Sequence, residues 1–144
     1  MPDCTFCSII AGELPAATVG ETPAAIALLD RSPVFPGHTL VVPRLHLATV
    51  EDLPAGLHGP FLEAVARVAQ AVRRGTLAQG TLVLMNNAVS QSVPHLHAHV
   101  IPRTKGDGLR GFLWPRQRYV DEAALQAVRL QIARAFSQGE GPEA

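Results

Sequence analysis

The segment His95-Leu96-His97-Ala98-His99-Val100-Ile101 alternates imidazoles with apolar side chains, and this two-residue period constrains the chain more than any other feature. Successive side chains of a β-strand point to opposite faces. The pattern therefore predicts a strand over His95 to Ile101, with His95, His97 and His99 on one face and Leu96, Ala98 and Val100 against a core. Neighbouring imidazoles on that face sit ~6.5 Å apart, twice the rise per residue, which is close enough to share a ligand. An amphipathic strand with one wet face produces the same alternation with no chemistry attached. Against that reading, five of the six histidines stand in this row or in the two other motifs described below, at His38 and His46. His58 matches neither and reads as a surface residue.

An imidazole can serve as a general base, a metal ligand or a nucleophile. In the last role one ring nitrogen attacks while an acceptor holds the N–H of the other. Phosphorus is a suitable target for such a ring, because phosphorylated imidazole is itself labile.

The charge balance narrows the function classes. Twelve basic side chains face twelve acidic ones over 144 residues, so no overall positive field gathers nucleic acid or anionic lipid. The longest plainly apolar run, Ala24 to Leu29, is far short of the ~20 residues a membrane span requires, and Met1-Pro2-Asp3 lacks a basic region followed by an apolar stretch. The sequence reads as a cytoplasmic protein with one domain over residues 1–138 and a disordered tail over 139–144.

Turn chemistry and periodicity supply the elements. Phe6 to Ala11 forms a short helix stopped by Gly12. Strands follow at Ala17 to Glu21, Ala24 to Asp30 and His38 to Val42, with turns at Asp30-Arg31-Ser32-Pro33 and Pro36-Gly37. Leu57, Phe61, Leu62, Val65, Val68, Ala69 and Val72 recur at three and four residues and predict a long helix ending near Gly75. Thr81 to Met85 gives another strand, and Asp121 caps a terminal helix running to Phe136. Strands, a long helix, two more strands and a last helix predict an α+β fold with an antiparallel sheet of about five strands.

Both cysteines lie in one C-x-x-C, Cys4 and Cys7, which suits half of a tetrahedral zinc site or a redox pair. His46 and His95 are available to complete a metal site. A redox pair usually sits at a helix start in a strand-helix-strand setting, which this amino terminus lacks.

His95-x-His97-x-His99 followed by apolar residues resembles the signature of the histidine-triad family of nucleotide hydrolases and transferases. The resemblance extends, in the same order, over Cys4-Thr5-Phe6-Cys7-Ser8-Ile9-Ile10-Ala11-Gly12-Glu13-Leu14-Pro15-Ala16, Asp30-Arg31-Ser32-Pro33, Pro36-Gly37-His38-Thr39-Leu40-Val41-Val42-Pro43 and Gln91-Ser92-Val93. It covers residue 4 to about 103. The segment Asn87-Ala88-Val89-Ser90-Gln91 departs from it, being shorter than the family's loop and lacking its glycines.

The resemblance implies that His97 attacks the α-phosphorus of a purine nucleotide derivative and that water releases a nucleoside monophosphate. It implies charge stabilisation or proton transfer by His99 and His38, and a hydrogen bond from Ser92 to the leaving group. Phosphate is then held by backbone N–H groups of Gln91, Ser92 and Val93, with His97 and His99 beside it. Phe6, Ile9, Leu14 and Leu28 match base-pocket positions, Asp30 the ribose carboxylate, and Asn86 or Asn87 a ribose or phosphate contact. The resemblance also implies a structural zinc held by Cys4, Cys7, His46 and His95, no organic cofactor, and a homodimer that extends the sheet. Arg103, Lys105, Arg110, Arg116 and Arg118, around Trp114-Pro115-Arg116, are either contacts for further phosphates or solubilising charges. Three activities stay open: hydrolysis of a phosphoramidate or dinucleoside polyphosphate, nucleotidyl transfer to phosphate, and a zinc-stabilised nucleotide-binding module that engages another protein.

Overall fold

Aliphatic and β-branched runs broken by turn residues fold as strands, and the three-and-four periodicity folds as helix. The computed structural model of the chain describes residues 3–109 and 117–138. Its order is α1 (Thr5–Ile10), β1 (Thr18–Glu21), β2 (Ala25–Leu29), β3 (Thr39–Pro43), α2 (Ala55–Gly75), β4 (Gly80–Leu84), β5 (Ala98–Arg103) and α3 (Glu122–Gln138), with a 3-10 turn at Val50–Asp52 before α2. By their contacts the described residues fall into two compact units, one within Met1–Lys105 and the other within Gly106–Gly141. The expected tail at 139–144, and Arg110, Trp114, Pro115 and Arg116, lie outside the described residues.

In the first unit all strand pairs are antiparallel and the order across the sheet is β1-β2-β3-β5-β4. This is the α+β architecture expected from the sequence. Alternation divides the sheet into two faces. Ala25, Val41, Ala98 and Val100 pack with Phe61, Ala64, Val65 and Val72 of α2. Ile26, Leu28 and Val42 point the other way, into a second cluster with Cys4 and Phe6. Leu40 pairs with His99 across β3 and β5, which puts His99 on this second face, away from α2. The long helix thus closes one side of the sheet and leaves the other for α1 and the histidines.

One predicted element starts late. Ladder pairing of β5 with β3 begins at Val41↔Ala98, so His95 and His97 precede the strand rather than belonging to it. The backbone there has other partners: the N–H of Leu96 donates to the carbonyl of Leu47 (2.6 Å) and that of His95 to Val93 (2.8 Å). The side-chain alternation survives all the same: Leu96, Ala98 and Val100 are all fully buried in the core beneath α2. At its other end β5 runs through Pro102, which pairs only with Thr81 of β4. Proline fits because β3 begins only at Thr39, opposite Val100, so no ladder donor is lost on that side.

Gly37 has a φ of +100°, and a Cβ there would meet the Thr76 side chain at 2.5 Å. Only glycine turns the chain this close to the end of α2, and the next residue, His38, is carried into β3 from that turn. In the second unit Asp121 caps α3, as its position predicts, its Oδ1 accepting from the N–H of Ala124 (2.7 Å). Among the described residues no helix is long and apolar enough to cross a membrane.

Candidate active site

Four metal-ligating side chains from three distant segments meet at one end of the second face. Cys4 caps α1, its sulfur accepting from the N–H of Cys7 (3.5 Å), which brings both thiols to the same side of the first turn. The ligand atoms of Cys4, Cys7, His46 and His95 all lie within 4.8 Å of one another. Cys4 Sγ is 3.4 Å from His95 Nδ1, Cys7 Sγ is 3.2 Å from His46 Nδ1, and Cys7 Sγ is 3.6 Å from His95 Nδ1. A tetrahedral zinc with ~2.3 Å sulfur and ~2.0 Å nitrogen bonds has sulfur–nitrogen edges of about 3.5 Å. The donor set therefore fits zinc in both chemistry and spacing.

The surroundings reinforce the fit. His95 Nε2 is 2.8 Å from the carbonyl of Pro43, so it carries the proton and Nδ1 turns a lone pair toward the sulfurs, as in ligand imidazoles steadied by a carbonyl. Burial, followed by the neighbouring Cys4 thiol, raises the Cys7 thiol. Two thiolates this close form readily only around a cation. Both cysteines are free, and each faces an imidazole rather than a disulfide partner.

His97, His99 and His38 lie ring beside ring, and their tautomers follow from their hydrogen-bond partners. His97 Nδ1 donates to the carbonyl of His95 (2.8 Å), leaving the lone pair on Nε2. The N–H of Val34 donates to His38 Nδ1 (3.1 Å), so the His38 proton is on Nε2 and points at His99 Nδ1, 2.9 Å away. His99 thus accepts at Nδ1 and carries its own proton at Nε2. Asp30, His38 and His99 also group closely enough to suit a metal, but the Val34 bond keeps a proton on the His38 nitrogen that such an ion would need. The rings of His97 and His99 lie 4.9 Å apart between centroids, closer than the ~6.5 Å backbone repeat. Among the described residues no buried side-chain nitrogen or oxygen lacks a partner.

Burial, then the adjacent His97 and His38 rings, push His99 down to about 4 from 6.5. Burial also lowers His38, against the opposing pull of Asp30, whose Oδ2 is 3.6 Å from His38 Nε2. His99 is therefore a neutral hydrogen-bond donor near pH 7, not a cation. The unfolded chain takes up this proton near 6.5 and the native state only near 4, so folding stability is eroded as pH falls through that window. The His99 ring resonances are expected to keep their neutral pattern at pH 5.5 and to titrate near 4. A midpoint near 6.5 contradicts the burial described.

A pocket of about 460 Å³ opens beside this row, lined by Phe6, Ile9, Leu14, Leu28 and Asp30 together with Arg31 and Leu40. The ring of Phe6 lines it and also meets the His97 ring at 5.1 Å between centroids, so the pocket adjoins the row. The five residues expected to form a nucleoside pocket are thus brought together. Leu40 and Arg31 were not anticipated. Leu40 was readable from the alternation Leu40, Val42 on β3, whereas Arg31 carried no signal beyond its place next to Asp30.

The residues ahead of the triad behave differently. Asn87 Oδ1 accepts from the N–H of Val50 (2.9 Å), Asn86 Nδ2 donates to the carbonyl of Ser90 (3.1 Å), and Gln91 Nε2 donates to the carbonyl of Ala48 (2.7 Å). These side chains bind the protein's own backbone and do not line the pocket. Ser92 is exposed, and Val93 packs beneath it against the second cluster. His58 sits on the surface of α2, bonded to the carbonyl of Leu53 (2.8 Å).

Comparison with known proteins agrees with this arrangement. Residues 11–106 match the HIT domain. The chain is 43% identical over 115 residues to Protein hit of Bacillus subtilis, covering 78% of this chain and 79% of that protein. It is 36% identical over 118 residues to the adenosine 5'-monophosphoramidase HNT1 of Saccharomyces cerevisiae, covering 79% and 71%. It is 35% identical over 109 residues to the adenylylsulfatase HINT3 of Arabidopsis thaliana, covering 74% and 55%. A crystal structure of a HIT family member from Bacillus subtilis superposes with a TM-score of 0.82 at 36% identity, covering 92% of this chain and 96% of that one. A zinc-bound histidine triad family protein from Mycobacterium smegmatis superposes with a TM-score of 0.71 at 32% identity, covering 96% and 99%. The triad, the fold beneath it and the extent of these matches lead to one assignment: the chain belongs to the HIT family, with His95, His97 and His99 as its histidine triad.

Proposed function

We propose that the protein is a nucleotide hydrolase that cleaves at the α-phosphorus of a purine nucleoside phosphoramidate or dinucleoside polyphosphate. The observation that carries this reading is the tautomer of His97. Its Nδ1 proton is held by the His95 carbonyl, so the Nε2 lone pair is free beside the Phe6 pocket. In the first step His97 Nε2 bonds to the α-phosphorus as the leaving group departs. The imidazolium formed keeps its Nδ1 proton on the carbonyl, which shares the positive charge. Water then displaces the ring, placing its hydroxyl on phosphorus and a proton on the leaving group over the whole cycle. His99, neutral and donating through Nε2, stabilises charge on the phosphoryl oxygens or the departing atom, as Ser92 does from the leaving-group side. His38 is a positioning residue that fixes the His99 tautomer. Phe6, Ile9, Leu14 and Leu28 receive the base, and Asp30 the ribose.

Zinc is the proposed occupant of Cys4, Cys7, His46 and His95. With four protein ligands it has no open position for water, so it fastens α1 and the His46 segment to the triad and takes no chemical part. Within this reading the active form is a homodimer and residues 1–138 act as one domain.

The relatives named a monophosphoramidase and an adenylylsulfatase support a shared attack at α-phosphorus with different leaving groups. The test is release of nucleoside monophosphate from adenosine 5'-phosphoramidate and from diadenosine polyphosphates, with and without added inorganic phosphate. Monophosphate release supports hydrolysis, and nucleoside diphosphate formed only with phosphate present supports nucleotidyl transfer instead. Tight monophosphate binding with no turnover of any substrate supports the zinc-stabilised binding module.

A further inference from the structure

The short loop ahead of the triad is built at a conformational cost that glycine would have avoided. Ala88 and Ser90 have φ values of +67° and +59°, left-handed backbone that costs a residue with a Cβ ~1 kcal/mol or more. What holds it is a set of side-chain brackets. Gln91 Oε1 accepts from the N–H of Ala88 (2.9 Å) while its Nε2 donates to the carbonyl of Ala48 (2.7 Å). Asn87 Oδ1 receives the N–H of Val50 (2.9 Å). Both brackets reach the segment that follows His46. They occupy both ends of the Gln91 amide and the oxygen of Asn87.

The brackets leave something unpaired. The backbone N–H groups of Ser90, Gln91, Ser92 and Val93 donate to no other described residue, although they form an uninterrupted run that leads into the triad. Successive free N–H groups next to left-handed residues form a concavity suited to an anion. Holding such a run in one shape needs support: Asn86 ties Ser90 from the β4 side, Val93 packs into the second cluster, and the side chains of Asn87 and Gln91 make the hydrogen bonds that join the loop to the segment after His46.

We propose that Gln91 and Asn87 are positioning residues that hold this backbone run open for the α-phosphate, acting on the ligand through the loop and not through their own amides. The inference rests on the hydrolase reading, and it assigns to this chain's side chains the part that loop glycines play where they are present. Its signature is specificity for the phosphate. The Phe6 pocket is untouched by either side chain, so the base and ribose are held as before.

The test is calorimetric titration of the full-length, zinc-loaded protein with AMP and with adenosine. Gln91→Ala is expected to weaken AMP binding about tenfold or more while adenosine affinity stays within about twofold. Asn87→Ala provides an independent second variant, with the same pattern expected. Unchanged AMP affinity in both variants overturns the proposal, and so does equal weakening of the two ligands, which marks a general loosening of the fold. Wild-type protein that binds neither AMP nor adenosine contradicts the hydrolase reading itself, and that control tells the two failures apart.

Discussion

His97→Ala is expected to reduce turnover by at least ~10⁴-fold, the scale on which loss of a covalent nucleophile acts. The same protein should still bind adenosine, because Ile9, Leu28 and Leu40 line the pocket independently of the ring, and Phe6 remains anchored in the buried cluster with Ile26 and Val42. The substitution removes a ring that is only 5% exposed and an edge contact with Phe6, so a stability loss of ~1–3 kcal/mol accompanies it. That loss is too small to explain the loss of turnover if the protein is assayed well below its melting point. His99→Ala should cost less, about 10²-fold, since it removes a donor and leaves the nucleophile. A His97→Ala protein turning over at the wild-type rate excludes this ring as the attacking group.

Loss of the proposed zinc is the second large expected effect. Cys4, Cys7, His46 and His95 join residues separated by 39 to 91 positions, so the centre cross-links three segments that the sheet ladder does not join directly. Cys4→Ala is expected to lose zinc and at least ~3 kcal/mol of stability, a drop in melting temperature of ~10 °C or more for a chain of this size. Two effects add there: the lost ligand, and the end of α1 that loses its sulfur cap. Chelation of wild-type protein should reproduce most of the shift, and zinc added back should restore it. Metal analysis checks the assignment directly, and Cys4→Ala protein that keeps one zinc per chain contradicts the ligand set.

Much of this arrangement was legible in the chain because it rests on periodicity. The two-residue alternation from Leu96 to Val100 reported which side chains enter the core beneath α2, and the three-and-four spacing from Leu57 to Val72 reported α2. Element ends shifted by a residue or two, as termini do when capping and ladder partners decide them. The start of β5 was misread for a specific reason. Alternation records which way a side chain points, not which backbone its neighbour bonds, and Leu96 bonds Leu47 instead of β3. The relay from Val34 through His38 to His99 was not readable either, since it depends on the turn at Gly37 and on ring tautomers set by long-range partners. The resemblance implied a ribose or phosphate contact for Asn86 or Asn87 and a backbone N–H contact for Gln91, and it said nothing of the side-chain bonds that Asn87 and Gln91 make. Their partners, Val50 and Ala48, lie some forty residues away in sequence, and no local pattern announces such a bracket.

In the proposed reaction His97 Nε2 becomes bonded to phosphorus during each turnover. Rapid acid- or base-quench of wild-type protein mixed with adenosine 5'-phosphoramidate labelled at phosphorus, followed by peptide mapping, tests it most directly. Label is expected on the peptide carrying His97, formed and discharged at rates that match turnover and absent from His97→Ala. Steady release of AMP with no label ever reaching that peptide contradicts it.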